Sequence, residues 1–318
     1  MKTNKSKFLL SSMLGLIFVI CSCEINPTNS FSTNPIEVKI ASPSKAPAIA
    51  LFAHLNEENV EINSVANNVV AYLTTTSDKD MVIAPTNAGI SAIINKNAQF
   101  KIAATVTFGN FYLIQTGKDY DKTLNAGDKV LAFQEQNVAG KVFNYVYGDK
   151  GLETTYLADV TAVKTEVLTN ESLDYDYILL AQPDVNEVLK AKKDYSIYAN
   201  VQNDFKTKSG GKEITQASIF VKNSSDKEAV VSTLNTIKND VDALLTNSSN
   251  LLEASKDVED QVFSAKLGST KEELKALIDD NNQLGIGFKK AKDNKASIDA
   301  FISTFSMGAT SEEIYFNY

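Results

Sequence analysis

Residues 80–93 read DMVIAPTNAGISAI. An acidic residue leads into the continuous apolar run Met81–Ala84, which carries no polar alternation. A short run of this kind suits a strand covered on both faces, as strands of a parallel sheet are. Pro85 closes the strand, Thr86 is a residue type that caps helices, and Asn87 to Asn95 continue with a helical pattern. The same order recurs later: Asp176, an apolar strand from Tyr175 to Leu180, then Gln182-Pro183 and a helical stretch from Val185 to Lys192. A repeated strand–proline–helix unit is what two related α/β lobes leave in a sequence.

The pattern extends outward from both copies. Toward the N-terminus, Ile36, Val38 and Ile40 alternate as a strand, residues 42–47 form a loop, and Ala48 to Asn56 read as a helix. Val60 to Ala66 reads as a strand, with a short helix around Val69 to Leu73. Phe100 to Thr116 is a long β-rich run broken at Gly109-Asn110. Lys129 to Phe133 is a strand, and the loop Gln134 to Gly140 opens a helix reaching Tyr147. Val160 to Val167, rich in β-branched residues, reads as a strand, as does Ile214 to Val221. Strands alternating with helices of this length argue for parallel sheets. Beyond them the chain turns helical. Ser225-Asp226-Lys227-Glu228 is a capping box for a helix through Leu245, and Ser269-Thr270-Lys271-Glu272 opens another through Asp279. Further helical stretches cover Leu251 to Phe263 and Ala296 to Phe305, and these helices must return to pack on the first lobe.

The N-terminus is of a different kind. Lys2, Lys5 and Lys7 precede an apolar stretch from Phe8 to Ile20. That stretch is shorter than the roughly 20 residues of a permanent span and has the proportions of a secretory signal. Ile20-Cys21-Ser22-Cys23 resembles a bacterial lipobox, which implies cleavage after Ser22 and lipidation of Cys23. The chain's 2 cysteines are then both accounted for, leaving no disulfide and no thiolate metal site. Residues 23–35, rich in Asn, Ser, Thr and Pro, read as a solvated tether. Losing residues 1–22 removes three lysines and no acid, so the formal charge of −8 falls by three, to −11. Such acidity makes the protein a poor candidate for nucleic acid or anionic lipid surfaces, where a basic patch is expected. The chain contains no arginine, so no bidentate guanidinium fork is available for a carboxylate, sulfonate or phosphate. With a single histidine (His54, read as a surface or rim residue), no spare cysteine, no P-loop and no Gly-x-Ser-x-Gly elbow, an enzyme is disfavoured, and no cofactor or metal is expected.

IASPSKAPAIAL (residues 40–51), DMVIAPTNAGISAI (80–93), ATVTFGNFYLIQTG (104–117), LAFQEQNVAGKVFNYVYG (131–148) and YDYILLAQPDV (175–185) together resemble the type II solute-binding proteins of ABC importers. The branch they resemble is that of the nitrate, sulfonate, taurine and thiamine-precursor group, and the likeness runs from Ile36 onward. It implies a two-lobed α/β architecture with a ligand cleft between the lobes and a helical C-terminal part. Lobe 1 would be residues 36–112 plus 222–318 and lobe 2 residues 113–221, with crossovers near Tyr112–Gly117 and Ala217–Lys222. It also implies a lipid-anchored monomer at the extracytoplasmic face of the membrane, held there only through its lipid. Such a protein captures a small solute and delivers it to a permease driven by an ATPase. The chain departs from the family at Gln134–Gly140, where relatives carry a glycine-rich segment, and at Gln182-Pro183-Asp184, where they carry a Pro-Glu-Pro-like run.

Ligand contacts in open α/β sheets sit beyond strand C-termini. The candidates there are Ser42, Ser44 and Lys45 after the first strand, Thr86 and Asn87, Gly109 and Asn110, the amide cluster Gln134, Gln136 and Asn137, and Gln182. Each also has a plainer reading. The serines and Thr86 could cap helices, Gly109 could serve a bend while Phe108 enters the core, and the amides and Asp184 could be solvated loop, with Glu135 pointing outward. The few fixed charges favour a small polar or heteroaromatic, largely uncharged solute. A surface lipoprotein using the same fold for adhesion or structure, and a pyrimidine-synthesising enzyme of the same fold, are the alternatives.

Overall fold

The computed structural model describes residues 30–117 and 123–318. The signal segment and Cys23 lie outside the described residues. The strands are β1 (Ile40–Pro43), β2 (Val60–Asn63), β3 (Met81–Pro85), β4 (Phe100–Thr107), β5 (Phe111–Gln115), β6 (Lys129–Phe133), β7 (Glu153–Leu157), β8 (Tyr177–Ala181), β9 (Ser196–Asn200), β10 (Ala217–Lys222) and β11 (Ile286–Lys290). They form two sheets. The first has the order β11-β4-β10-β3-β1-β2 and the second β7-β6-β8-β5-β9.

Both sheets are mixed. β1 runs parallel to β2 and β3, and β6 runs parallel to β7 and β8. β10 and β4 pair antiparallel within the first sheet, and β5 is antiparallel to both β8 and β9 in the second. The two strands of the repeated unit, β3 and β8, lie inside their sheets. Met81 to Ala84 and Tyr177 to Leu180 are fully buried, which is why neither shows polar alternation.

The chain crosses between the sheets at Phe108–Asn110, and returns through the helix Val201–Lys208 and the segment 209–216. Both passages come earlier than the crossovers near Tyr112–Gly117 and Ala217–Lys222 that the resemblance implies. Tyr112 belongs to β5 of the second sheet, and Ala217–Lys222 is a fully paired inner strand of the first. Gly109 explains the first crossing, since its φ of 89° is open to glycine and strained for other residues. Gly285, packed with its Cα side against the Gly109 carbonyl, leaves no space for a side chain, and Phe108 N–H donates to the Gly285 carbonyl at 2.7 Å.

Several elements differ from their sequence reading. Val160–Thr169 is a helix, not a strand. Asp159 caps it by accepting from Ala162 N–H at 2.8 Å, and Val163 and Val167, one helical turn apart, are its buried residues. β7 and β9 are half-exposed edge strands with polar residues, and β11 interrupts the helical C-terminal part as the outer strand beside β4. Leu251 to Phe263 is divided between two helices, Ser249–Ala254 and Asp260–Leu267. The caps at Asp226 and Thr270 each accept a backbone N–H three residues on.

The end of the tether is docked. Phe31 packs edge-on against Phe52 with ring centroids 6.1 Å apart, and Ser32 N–H donates to Asp240 at 2.5 Å. His54 is not at the rim: it is 2 % exposed, between Glu57 at 2.5 Å and Asp240 at 2.8 Å. Glu57 also accepts from Ile36 N–H at 2.7 Å. Burial alone would lower the pKa of His54, but the hydrogen bonds to Asp240 and Glu57 outweigh it and hold the pKa above the ordinary histidine value. A raised folded-state pKa contributes stability that is complete below about pH 6.5, the unfolded value, and is lost as pH rises through the folded pKa. The melting temperature of the protein should therefore lose this increment above pH 6.5, and His54→Gln should remove it. Equal pH dependence in the two proteins, followed by calorimetry, would contradict the ion-pair network.

Candidate ligand-binding cleft

Where the C-terminal ends of β1 and β3 face those of β6 and β8, the two lobes enclose a cavity of about 360 Å³. The first lobe contributes Ser44 and Lys45 after β1, Asn87 after β3, and Gln216 just before β10. The second contributes Phe133, Gln134 and Asn137 around the end of β6, and Gln182 and Asp184 after β8. Asn110 and Phe111, at the first crossing, sit between the two groups. Strand-end turns place these groups because the backbone there leaves the sheet and its side chains are no longer taken up by ladder neighbours.

Two of the turns are held in a backbone conformation unusual for their residues. Lys45 has φ 69° and Gln134 has φ 55°. Left-handed backbone in a non-glycine residue is costly and tends to persist where a site requires it. Each is pinned by its own N–H: Lys45 donates to the Lys266 carbonyl at 2.8 Å and Gln134 to the Leu157 carbonyl at 2.9 Å. Gly140 closes the second turn, with its Cα side pressed against the Glu135 backbone and the Gln134 carbonyl.

The charge at Asp184 is paired from both lobes. Lys45 Nζ lies 3.4 Å from Asp184 Oδ2 across the gap between lobes, and Lys164 Nζ lies 2.8 Å from Asp184 Oδ1. Burial works to lower the Lys164 pKa, but hydrogen bonds to Asp184 and Glu187 overcome it and raise the pKa. Further contacts join the lobes. Lys190 pairs with Glu273, Gln182 Nε2 donates to Gln283 Oε1 at 2.6 Å, and Tyr112 O–H donates to the Gln283 carbonyl at 3.2 Å. Burial, aided by Asp280, pushes the Tyr112 phenol up to about 12, so it remains a donor at physiological pH.

Three amide oxygens in the cavity lining, Asn87 Oδ1, Asn110 Oδ1 and Gln216 Oε1, are buried without a hydrogen-bond partner. Asn110 Nδ2 donates to the Gln182 carbonyl at 2.6 Å, and Gln182 N–H returns a bond to the Asn110 carbonyl at 2.9 Å.

The structure brings Ser44, Lys45, Asn87, Asn110, Gln134, Asn137 and Gln182 to this cavity. Four other candidates lie elsewhere. Ser42 is buried in β1 and its hydroxyl donates to the Pro43 carbonyl at 2.9 Å. Thr86 is fully buried, and its hydroxyl bonds Ser218 at 2.7 Å. Gly109 lines a separate small cavity beside Gln202 and Asn200, and Gln136 is exposed outside the cleft. Sequence reasoning passed over the apolar wall of Val70, Phe111, Phe133, Val138 and Val160, together with Asn67, Asp159 and Gln216. Gln216 directly precedes an apolar strand, a position that points to the cleft only once the direction of β10 is known.

The sequence matches no protein-family model and no curated protein. Solved structures are similar in fold. A crystal structure described as an ABC transporter from Parabacteroides distasonis has a TM-score of 0.65 at 14 % identity, covering 85 % of this chain and 91 % of that one. The periplasmic aliphatic sulphonate binding protein of Escherichia coli has a TM-score of 0.58 at 11 % identity, over 85 % and 88 %. The alkanesulfonate-binding protein of Xanthomonas axonopodis pv. citri, bound to MOPS, has a TM-score of 0.52 at 12 % identity, over 86 % and 94 %.

The turn at Gly140 carries a direct test. A methyl group there would stand 2.4 Å from Glu135 Cα. Gly140→Ala should lower the unfolding free energy by about 1–3 kcal/mol, in the range of an overpacked core. Wild-type stability in a denaturant titration would show that the turn relaxes freely.

Proposed function

We propose that this chain, which has the periplasmic-binding-protein fold, is the solute-binding protein of an ABC importer and performs no chemistry on its ligand. One observation carries the reading: a cavity lined by strand ends of both sheets, with amide side chains and an apolar wall contributed by both lobes. A pocket of this shape within one lobe would bind without moving anything. Between two lobes, a solute that touches both walls favours the closed arrangement by its differential affinity for it.

The contacts that now bridge the lobes suit a reversible closure. Lys45 is partly exposed, so its pairing with buried Asp184 is worth at most about 1 kcal/mol. The Gln182–Gln283 and Tyr112–Gln283 hydrogen bonds add amounts of similar size, about 1 kcal/mol each. These polar contacts stand beside a buried apolar cluster that includes Val82 and Ala84 of the first sheet and Phe111 and Phe133 of the second, so they are only part of what joins the lobes. The two crossings, Phe108–Asn110 and residues 209–216, are where the hinge would flex.

In this reading residues 1–22 are a lipoprotein signal, Cys23 carries the lipid, and the segment to residue 35 is the tether. The basic start, the short apolar stretch and Ile20-Cys21-Ser22-Cys23 support it. No helix among the described residues is long and apolar enough to cross a membrane. Two acyl chains hold a protein stably at a bilayer where one does so only marginally. The anchor would keep a monomer concentrated beside its permease and ATPase at the extracytoplasmic face.

Native mass spectrometry of the gently purified protein should show a noncovalent small-molecule adduct that is lost on denaturation. An unliganded mass, with no thermal stabilisation by any solute in a broad screen, would overturn the solute-binding reading and favour an adhesive or structural role. For the anchor, Cys23→Ser should move the protein from the detergent phase to the aqueous phase in Triton X-114 partitioning. Unchanged partitioning would exclude lipidation at Cys23.

A further inference from the structure

The N-terminal segment is held to the first lobe through carboxylates arranged around the chain's single histidine. His54 is 2 % exposed, and both of its ring nitrogens face carboxylates: Nδ1 lies 2.5 Å from Glu57 Oε1 and Nε2 2.8 Å from Asp240 Oδ2. An ionised carboxylate only accepts, so both contacts are satisfied by a ring that donates from both nitrogens, the imidazolium. The second oxygen of each carboxylate is spent on the segment. Asp240 Oδ1 accepts from Ser32 N–H at 2.5 Å, and Glu57 Oε2 accepts from Ile36 N–H at 2.7 Å. One proton therefore stands behind both backbone contacts, which bracket residues 31–35.

Few other charges come near. Asp240 belongs to the helix Lys227–Thr246, and Glu57 follows the short turn Phe52–His54. From the helix Asp260–Leu267, Lys266 turns its Nζ to the Leu55 carbonyl. From the helix Ser249–Ala254, Glu253 pairs with Lys256 at the surface. Among the described residues, the two carboxylates are the charged groups that bond the ring.

We propose that His54 is a proton-operated clasp: protonated, it fastens residues 31–35 to the first lobe, and unprotonated, it loosens them. A neutral ring donates from one nitrogen only, and the other turns a lone pair toward a carboxylate. The Asp240 side chain is 1 % exposed and cannot exchange the ring for water, whereas that of Glu57 is 24 % exposed. Glu57 is the arm that swings to solvent, and it takes the acceptor of Ile36 N–H with it. Ile36 itself stays, because its side chain is buried and Asn59 Nδ2 donates to its carbonyl at 2.9 Å. The stretch ahead of it is left with the Ser32 bond and the edge-on contact of Phe31 with Phe52. Burial of the ring favours loss of the proton and the two acceptors favour keeping it, so docking and protonation support each other. If Cys23 carries a lipid, as proposed above, residues 31–35 would join the tether on loosening, a gain in reach of up to about 17 Å at roughly 3.4 Å per residue. That consequence rests on the anchor; the clasp does not.

Two readouts on the full chain test the clasp. With one histidine and no tryptophan in the sequence, the His54 ring gives a single NMR titration and Phe31→Trp a single indole emission. As pH rises through the His54 titration, the emission should shift to the red with the same midpoint. Protection of the Ile36 amide, corrected for the intrinsic pH dependence of exchange, should fall by about tenfold, roughly the worth of one charge-assisted hydrogen bond. Phe31→Ala, which releases the segment by another route, should lower the His54 pKa, the reciprocal effect that linkage requires. Adding His54→Gln to Phe31→Trp should leave an emission that does not move over the same range. An emission that stays constant while the ring titrates, a His54 titration unaffected by Phe31→Ala, or a ring that keeps its proton until the protein unfolds would each overturn the switch. Should the double variant fail to fold, the ring titration and the emission of Phe31→Trp alone still decide.

Discussion

A buried carbonyl oxygen gives up its hydrogen bonds to water, and leaving it unpaired costs about 1–3 kcal/mol. Three such oxygens, on Asn87, Asn110 and Gln216, lie behind the cavity wall where the two sheets face each other. The atoms are present because the chain leaves its sheets after β3, between β4 and β5, and before β10, and the side chains there are amides. Their desolvation is a standing liability of the protein alone. In the proposed function, a solute that bridges the two walls would make recognition and closure one event.

The remaining interlobe contacts tune this event. Lys45 and Lys164 both pair with Asp184, and Lys164 also with Glu187, so these four side chains balance in charge. Because Lys45 is partly solvated, the pair is a weak clasp and opening remains accessible. The left-handed turns at Lys45 and Gln134 hold opposing walls in conformations that few residues adopt unaided. Farther away, His54, Glu57 and Asp240 fasten the end of the tether to the first lobe. Packing on the first lobe therefore includes Phe31, ahead of the first strand, since Phe31 rests on Phe52.

Much of this was readable from residues whose pattern has one physical meaning. The apolar runs Met81–Ala84 and Tyr177–Leu180, each closed by a proline and followed by a helix, are inner strands of two sheets, as their lack of alternation indicates. Lys45, Asn87, Asn110, Gln134, Asn137 and Gln182 reach the cavity because strand-end turns could be located from the same runs. Other features depend on partners distant in the chain. Ser42 and Thr86 have the right chemistry for a cleft, but their hydroxyls are taken by Pro43 and Ser218. Val160–Thr169 has strand-like composition, and only the Asp159 cap and the spacing of Val163 and Val167 make it a helix. β11 is legible only against β4, and the burial of His54 only through Asp240, far along the chain in the helix Lys227–Thr246.

The central claim is that a solute draws two walls together, and an interlobe distance measures it most directly. Spin labels at Val65→Cys and Gln136→Cys would sit on opposite rims, both at exposed positions. Pulsed electron–electron resonance on the protein stripped of solute, and again after return of the molecule it carried, would report the separation. The account predicts a broad, longer distribution without solute and a shorter, narrower one with it. A single unchanged distance in both samples would mean that the lobes form one rigid body and that the cleft does not work by closing.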